Sequence, residues 1–250
     1  MEAWQIERFG VHSLTDRYRK RLNEAQSIIR DALPHMDNPY VAFSCGKDSS
    51  VLAYLVLEAR PKTPLRFLSS GETRIVHNVD LIINWFREHY HANIQEILID
   101  RVFTEEWAEA TWTEQRKAGK HDLEQLNIGG WDGIFMGLRA EESPPRRKSL
   151  YYSQTSRLPR FCYRYQAGLR LGMIRCCPLA RWTVEDVGAF LVTHNIPVLR
   201  HYHRRGLEAR TTARLTGNAV RQYILSDIKR DNPQGWNKLV ARFPEFKCFV

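Results

Sequence analysis

Apolar residues recur at spacings of three and four through Leu14, Tyr18, Leu22, Ala25, Ile29 and Leu33, which predicts a helix with one buried stripe, ended by Pro34. A short apolar run at 40–43 follows Asn38-Pro39 and has the length and flanks of a buried strand. Helical period returns with Val51, Leu52, Leu55, Val56 and Ala59, predicting a helix that starts near Ser49, and Pro61 and Pro64 stop it before a second strand at 65–69. A helix over 75–90, with Val79, Ile82, Ile83 and Phe86 inward, and a strand over 94–99 repeat the rhythm. Residues 104–118 read as a polar helix carrying Trp107 and Trp112, 119–131 as loop, and 133–138 as a buried strand. The stretch 139–160 is rich in Ser, Pro and Arg without a period, as expected of a loop that carries function. Thr183 and Asp186 form the pattern of a capping box, opening a helix to 194 with Val184, Val187, Phe190 and Leu191 on one side. Beyond Gly206 the chain reads as helical to about 230, with a short tail near 236–243. Strands alternating with helices predict an α/β fold, a mostly parallel Rossmann-like sheet covered on both faces, with ligands at the carboxyl ends of the strands.

Composition bounds this picture. At 250 residues, 43% hydrophobic and 26% charged, the chain is in the globular range and supports one substantial α/β domain with appendages. The division that follows is an N-terminal helical extension at 1–37, a central α/β domain at 38–200 and a basic helical extension at 201–250. No apolar run approaches the ~20 residues of a membrane span. The first residues, Met1 to Arg8, lack the basic flank and apolar core of a secretory signal, so the cytoplasm is the expected location. Five cysteines, with Cys176 and Cys177 adjacent, suit thiols or ligands in a reducing compartment better than a disulfide framework. The net charge of +9 is localised: residues 139–214 hold 14 Arg and one Lys against five carboxylates. Arginine presents a planar fork matched to phosphate and sulfate oxygens, so the partner of this half is expected to be anionic.

The chemistry concentrates in Ser44-Cys45-Gly46-Lys47-Asp48-Ser49-Ser50, between the first strand and its helix. Cys45, Gly46, Lys47 and Asp48 are expected on the turn, with free N–H groups at the helix start, hydroxyls from Ser44, Ser49 and Ser50, and the Lys47 charge making an anion site. The segment fails the Walker A template, because Val41 stands where another glycine is required.

This segment resembles the Ser-Gly-Gly-x-Asp-Ser signature of the PP-loop ATP pyrophosphatases, adenine nucleotide alpha hydrolase-like proteins. Within them it resembles the phosphoadenosine phosphosulfate (PAPS) reductase and ATP sulfurylase small-subunit branch, which favours lysine at the variable position. Two further segments match in order and spacing: residues 135–143 with Arg146-Arg147, and Pro178-Leu179-Ala180-Arg181-Trp182-Thr183-Val184-Glu185-Asp186-Val187. The resemblance covers about 38–200, making it a PP-loop nucleotide-binding domain. It implies ATP and Mg²⁺ as cofactors, with the β,γ-pyrophosphate gripped and the α-phosphorus open to attack, giving an adenylylated substrate and pyrophosphate. Lys47, Asp48 and Arg139 would be catalytic, Asp48 as loop organiser or metal contact. Arg139, Glu142, Arg146 and Arg147 would meet the substrate anion, whether sulfate, a sulfonucleotide or nucleic acid. Gly71 and Glu72 would lie near the adenosine, in a segment where relatives carry an Asp-Thr-Gly-type sequence. A partner subunit is implied by analogy with sulfurylases, and a homodimer is left open.

Several departures from the family pattern matter. Cys45 replaces a motif glycine, and if that position needs positive φ, cysteine costs about 1 kcal/mol or more. The reductase branch ends in a Glu-Cys-Gly-Leu-His element, whereas this chain ends Glu245-Phe246-Lys247-Cys248-Phe249-Val250, which weakens thioredoxin-dependent PAPS reduction as the rival activity. Cys162, Cys176 and Cys177 would supply three ligands to an iron–sulfur cluster, as in relatives that install sulfur in DNA, but no C-x-x-C spacing supports it. Tyr152, Arg157, Arg160, Tyr163 and Arg164 interleave aromatic faces with phosphate-binding charge, a pattern for nucleic-acid contact. An amphipathic strand or hairpin accounts for the same pattern. His201 and His203 would share a strand face or sit in a solvated basic loop. The reading is ATP adenylylation with pyrophosphate release in sulfur metabolism or sulfur transfer. Its rivals are sulfonucleotide reduction and, outside enzymes, a nucleotide-dependent nucleic-acid-binding module of a phage or defence system.

Overall fold

The apolar runs become a six-stranded sheet in the computed structural model, which describes residues 1–69, 78–99, 125–152, 157–166, 170–209 and 218–250. The strands are β1 (Pro39–Ala42), β2 (Leu65–Ser69), β3 (Ile94–Leu98), β4 (Gly133–Phe135), β5 (Cys162–Arg164) and β6 (Ile174–Cys176), in spatial order β3-β2-β1-β4-β6-β5. Every pairing is parallel except β5 with β6, which is antiparallel. From β1 the chain builds first toward β2 and β3 and then, on the other side, toward β4. The carboxyl ends of β1 and β4 therefore flank the place where the winding reverses, the usual ligand crevice of such sheets.

The helices among the described residues are α1 (Ala3–Ser13), α2 (Asp16–Ala32), α3 (Lys47–Ala59), α4 (Val79–Tyr90), α5 (Pro144–Tyr152), α6 (Val184–Thr193), α7 (Arg200–Arg205), α8 (Asn218–Asp231) and α9 (Pro233–Arg242). Strand side chains alternate between faces, and Val41, Phe67, Phe135 and Cys176 on one face share a buried core with Ile29 of α2, Val51 of α3, Phe86 of α4 and Phe190 of α6. On the other face Tyr40, Ile134 and Met173 pack with Leu126. Burial lowers the pKa of Arg66 on that face, where its guanidinium lies 4.7 Å from the Trp131 ring and donates to Gln95 at 2.9 Å. The expected helix at 104–118 lies outside the described residues. None of the described helices is long and apolar enough to cross a membrane.

Four expectations need correction. Two helices, not one, precede β1: α1 has few inward apolar positions, and its burial rests on Phe9, whose ring lies where a Cβ on Gly188 of α6 would come within 2.5 Å. Residues 144–152, expected as loop, form α5, because Pro144 and Pro145 stand at its start, where a missing N–H costs nothing. His201 and His203 belong to helix α7, neither to a strand nor to a loop. The tail at 236–243 is largely helix α9, capped by the Asn232 side chain accepting from the Gly235 N–H at 2.9 Å. Together α8, α9 and the C-terminal turn at Pro244–Phe249 form a small cluster of their own through Leu225, Ile228, Trp236, Leu239 and Phe246.

The capping box predicted at Thr183 is present and extends into a buried network. Asp186, fully buried, accepts from the Thr183 N–H at 2.6 Å, the Thr183 hydroxyl at 2.9 Å and His12 Nε2 at 2.8 Å, and pairs with Arg21. Burial alone would raise its pKa, but the hydrogen bonds from His12, Thr183 and Arg21 prevail and hold it below its ordinary 3.8. A depressed carboxylate contributes stability that is complete above the unfolded pKa and is lost as pH falls through the folded one. Replacing Asp186→Asn is therefore expected to cost about 3 kcal/mol at neutral pH. The gap should narrow as pH drops below about 4, read from urea midpoints across pH. A gap that stays constant down to strong acid would contradict this account.

Candidate functional site

Phe43 closes the strand by donating to Arg66 O at 2.9 Å, and Ser44, Cys45 and Gly46 make the turn. Lys47 and Asp48 are not on that turn as expected: α3 begins at Lys47, so both occupy its first helical turn. Cys45 carries φ 56°, the left-handed conformation for which the sequence raised the question, and a non-glycine residue there costs about 1 kcal/mol. Gly46 is the N-cap and supplies no side-chain oxygen, so the amides of residues 47–49 open outward with the positive end of a 13-residue helix behind them.

The serines divide the work. Ser49 Oγ accepts from the Ser44 N–H at 3.2 Å, lies 3.0 Å from Ser44 Oγ and donates to Gly46 O at 3.0 Å, so it braces the turn. Ser50 Oγ is buried with no hydrogen-bond partner. An unsatisfied buried hydroxyl costs on the order of 1–3 kcal/mol, which an incoming acceptor oxygen would recover.

Lys47 is only 7% exposed, its Nζ 3.0 Å from Asp48 Oδ2 and 5.2 Å from the ring of Tyr202 in α7. Asp48 Oδ1 accepts from Arg139 Nε at 2.6 Å, so both carboxylate oxygens are engaged by cations. Arg139 follows β4 across Gly137, where a Cβ would meet the Asp48 carbonyl at 3.0 Å; the glycine lets the two turns touch. Burial acts to lower the Arg139 pKa, but Asp48, Glu141 and Glu142 outweigh it and raise it. Glu142 Oε2 accepts from the Arg139 N–H at 2.9 Å, and Glu141 Oε1 from Arg139 Nη1 at 3.3 Å and from the Val184 N–H at 3.3 Å. With Ala140 N donating to Ala180 O at 2.9 Å, the three sequence segments singled out above meet in one place.

The remaining candidates scatter. Arg146 is paired with Glu142, and Arg147 is exposed with no ion pair among the described residues. Gly71 and Glu72 lie outside the described residues. Cys162 faces Cys176 across β5 and β6, and both are buried with Cys177; burial pushes the Cys177 thiol up to about 12 and Cys176 well above its ordinary value. Among the described residues no group of three or more His, Cys, Asp or Glu side chains is arranged to hold a metal. Tyr152 is 83% exposed and Arg157 exposed, whereas Tyr163 lies 3.7 Å under Arg175, Arg164 donates to Gly172 O and Arg160 to Glu24. Cys248 is exposed in the C-terminal turn. Sequence reasoning missed Tyr202, because its basic surroundings hide a single buried ring, and Gly137, whose spacing carries no periodic signal.

A mostly parallel, doubly wound sheet with an uncapped helix N-terminus, a buried lysine and a braced serine turn at the carboxyl end of its central strand defines an α/β domain with a helix start suited to an anion. Residues 38–209 match the family described as the phosphoadenosine phosphosulfate reductase domain, and the chain belongs to that family. It is similar to sulfate adenylyltransferase subunit 2 of Agrobacterium fabrum, 28% identical over 205 residues, covering 72% of this chain and 62% of that protein. The subunit 2 of Rhizobium meliloti is 26% identical over 256 residues, covering 91% of this chain and 75% of that protein. The chain thus spans 62% of the length of the Agrobacterium fabrum relative. Among solved structures, Candida glabrata FMN adenylyltransferase in complex with FAD and inorganic pyrophosphate aligns with a TM-score of 0.50 at 16% identity, over 79% of this chain and 66% of that one, a likeness of fold.

Proposed function

We propose that the chain binds ATP at the 44–50 turn and cleaves it between the α- and β-phosphates, adenylylating an oxyanion in sulfur metabolism. The observation that carries this is the cradle at the start of α3: outward amides, buried Lys47 and an unpartnered Ser50 hydroxyl, prearranged by Ser44 and Ser49. These donors fit a terminal pyrophosphate, and the names of the relatives point to sulfate as the acceptor class. An acceptor oxygen would form a bond to the α-phosphorus while the bond to the bridging oxygen breaks, its electron pair leaving with pyrophosphate. Lys47 and the amides would neutralise the leaving charge as it develops, and Arg147, exposed and without an ion pair among the described residues, would be available to the acceptor. Asp48 acts as the organiser that fixes Lys47 and Arg139. With both its oxygens so engaged it does not fit a Mg²⁺ ligand in this arrangement, and no step is assigned to a metal.

The reading is tested by incubating the protein with ATP and sulfate and following products by ³¹P NMR. AMP-containing product with pyrophosphate is expected. Accumulation of ADP and orthophosphate would refute α-phosphate chemistry.

A further inference from the structure

A second concavity, a groove of about 770 Å³, lies beside α2 and is lined by Arg17, Lys20, Arg21, Glu24, Ser27 and Arg181. The α2 positions recur at three and four residues, so they share one helix face, a stripe about 15 Å long. Arg181 faces it from the turn after β6, directly following Ala180, whose carbonyl anchors the Arg139 turn at 2.9 Å.

Its charge is unbalanced. Glu24 is held by Arg160 Nη1 at 2.9 Å and by Arg181 Nη1 at 3.4 Å, and Arg21 is paired with buried Asp186. Arg17 and Lys20 are exposed and, among the described residues, neither is paired with a carboxylate. Four cations and one acid thus line the groove.

The geometry points to this groove as a docking surface for the phosphate backbone of a nucleic-acid duplex. A cluster of four cations, three of them within about 6 Å along α2, matches the closely spaced charges of a polyanion, and arginine forks grip phosphate oxygens two at a time. No aliphatic or aromatic side chain lines the groove, so it lacks the anchor residues around which protein interfaces are built, and its apolar surface belongs to the carbon atoms of polar residues. Single strands are normally held by stacking on aromatic rings, which it also lacks. Contact is to phosphates, so binding is independent of sequence. The surface is distinct from residues 152–164, and its use does not depend on the ATP reading.

The test is fluorescence anisotropy with a labelled DNA duplex between 50 and 200 mM KCl, using the full chain without nucleotide. The triple variant Arg17→Gln/Lys20→Gln/Arg181→Gln alters exposed side chains, so the fold should persist, checked by circular dichroism. Each lost phosphate contact flattens the log–log salt slope by about 0.9, so the triple should flatten it by nearly 3 and weaken binding at least about 10-fold. A control, Lys62→Gln/Lys238→Gln/Lys247→Gln, removes the same charge elsewhere and should bind as the unaltered chain does. The proposal fails if the unaltered chain does not bind duplex, if the groove triple keeps its affinity and slope, or if the control loses as much. It also fails if polyglutamate or a single strand binds more tightly than duplex, which would make the groove a site for an acidic protein or for unpaired strands.

Discussion

Replacing Lys47 by alanine is expected to lower ATP turnover by at least about 100-fold while the protein stays folded. Lys47 is the full positive charge at the start of α3, buried to 7% exposure and held on Asp48 at 3.0 Å and over Tyr202 at 5.2 Å. A charge prepositioned in a partly dry site acts on the leaving pyrophosphate as it gains charge, with little reorganisation, and losing one such donor typically costs 10²–10³ in rate. Stability should change little, because Asp48 keeps its Arg139 partner at 2.6 Å and the cost of burying the ammonium disappears with it. Pyrophosphate release measured beside a thermal melt separates the two effects. A near-normal rate with an unchanged melt would remove Lys47 from the chemistry.

Arg139→Ala should do the opposite and strike stability first. The guanidinium, 4% exposed, is surrounded by Asp48, Glu141 and Glu142, and its loss leaves a carboxylate cluster with Lys47 on Asp48 and Arg146 on Glu142 but no cation at its centre. Breaking a buried pair from one side costs about 3–5 kcal/mol. Adding Asp48→Asn removes the stranded charge, so the double variant should be more stable than Arg139→Ala alone. Urea unfolding of the single and double variants reads this directly. A single variant within about 1 kcal/mol of the unaltered chain would show that the three segments do not depend on this ion pair.

Much of this was legible in the sequence, and for identifiable reasons. The second strand at 65–69 appears with the predicted start because Pro64 precedes it, and Thr183 marks the start of α6 because a capping box is a local signal. The segment 44–50 was visible from composition and position as the link between the first strand and its helix, and the structure places it there. The helix start was displaced from Ser49 to Lys47 because Gly46 already serves as N-cap, so polar residues at 47–49 carry helical backbone without contributing to the apolar stripe. Helix α1 was invisible for a tertiary reason: Trp4, Ile6 and Val11 are exposed, and what secures the helix is Phe9 against Gly188, a contact 179 residues away in the chain. Nor does a one-dimensional pattern reveal that Asp48 is claimed by two cations, since its partners come from its own helix and from the far side of β4.

The left-handed backbone at Cys45 sets two filters on what that position tolerates. A β-branched side chain cannot adopt φ 56° without steric conflict, and a large one has nowhere to go, since the site is 1% exposed. Only glycine or a compact, unbranched residue passes both, so random drift at this point of the chain is confined to a handful of amino acids, and valine or isoleucine there would reshape the bend that aims the amides of α3.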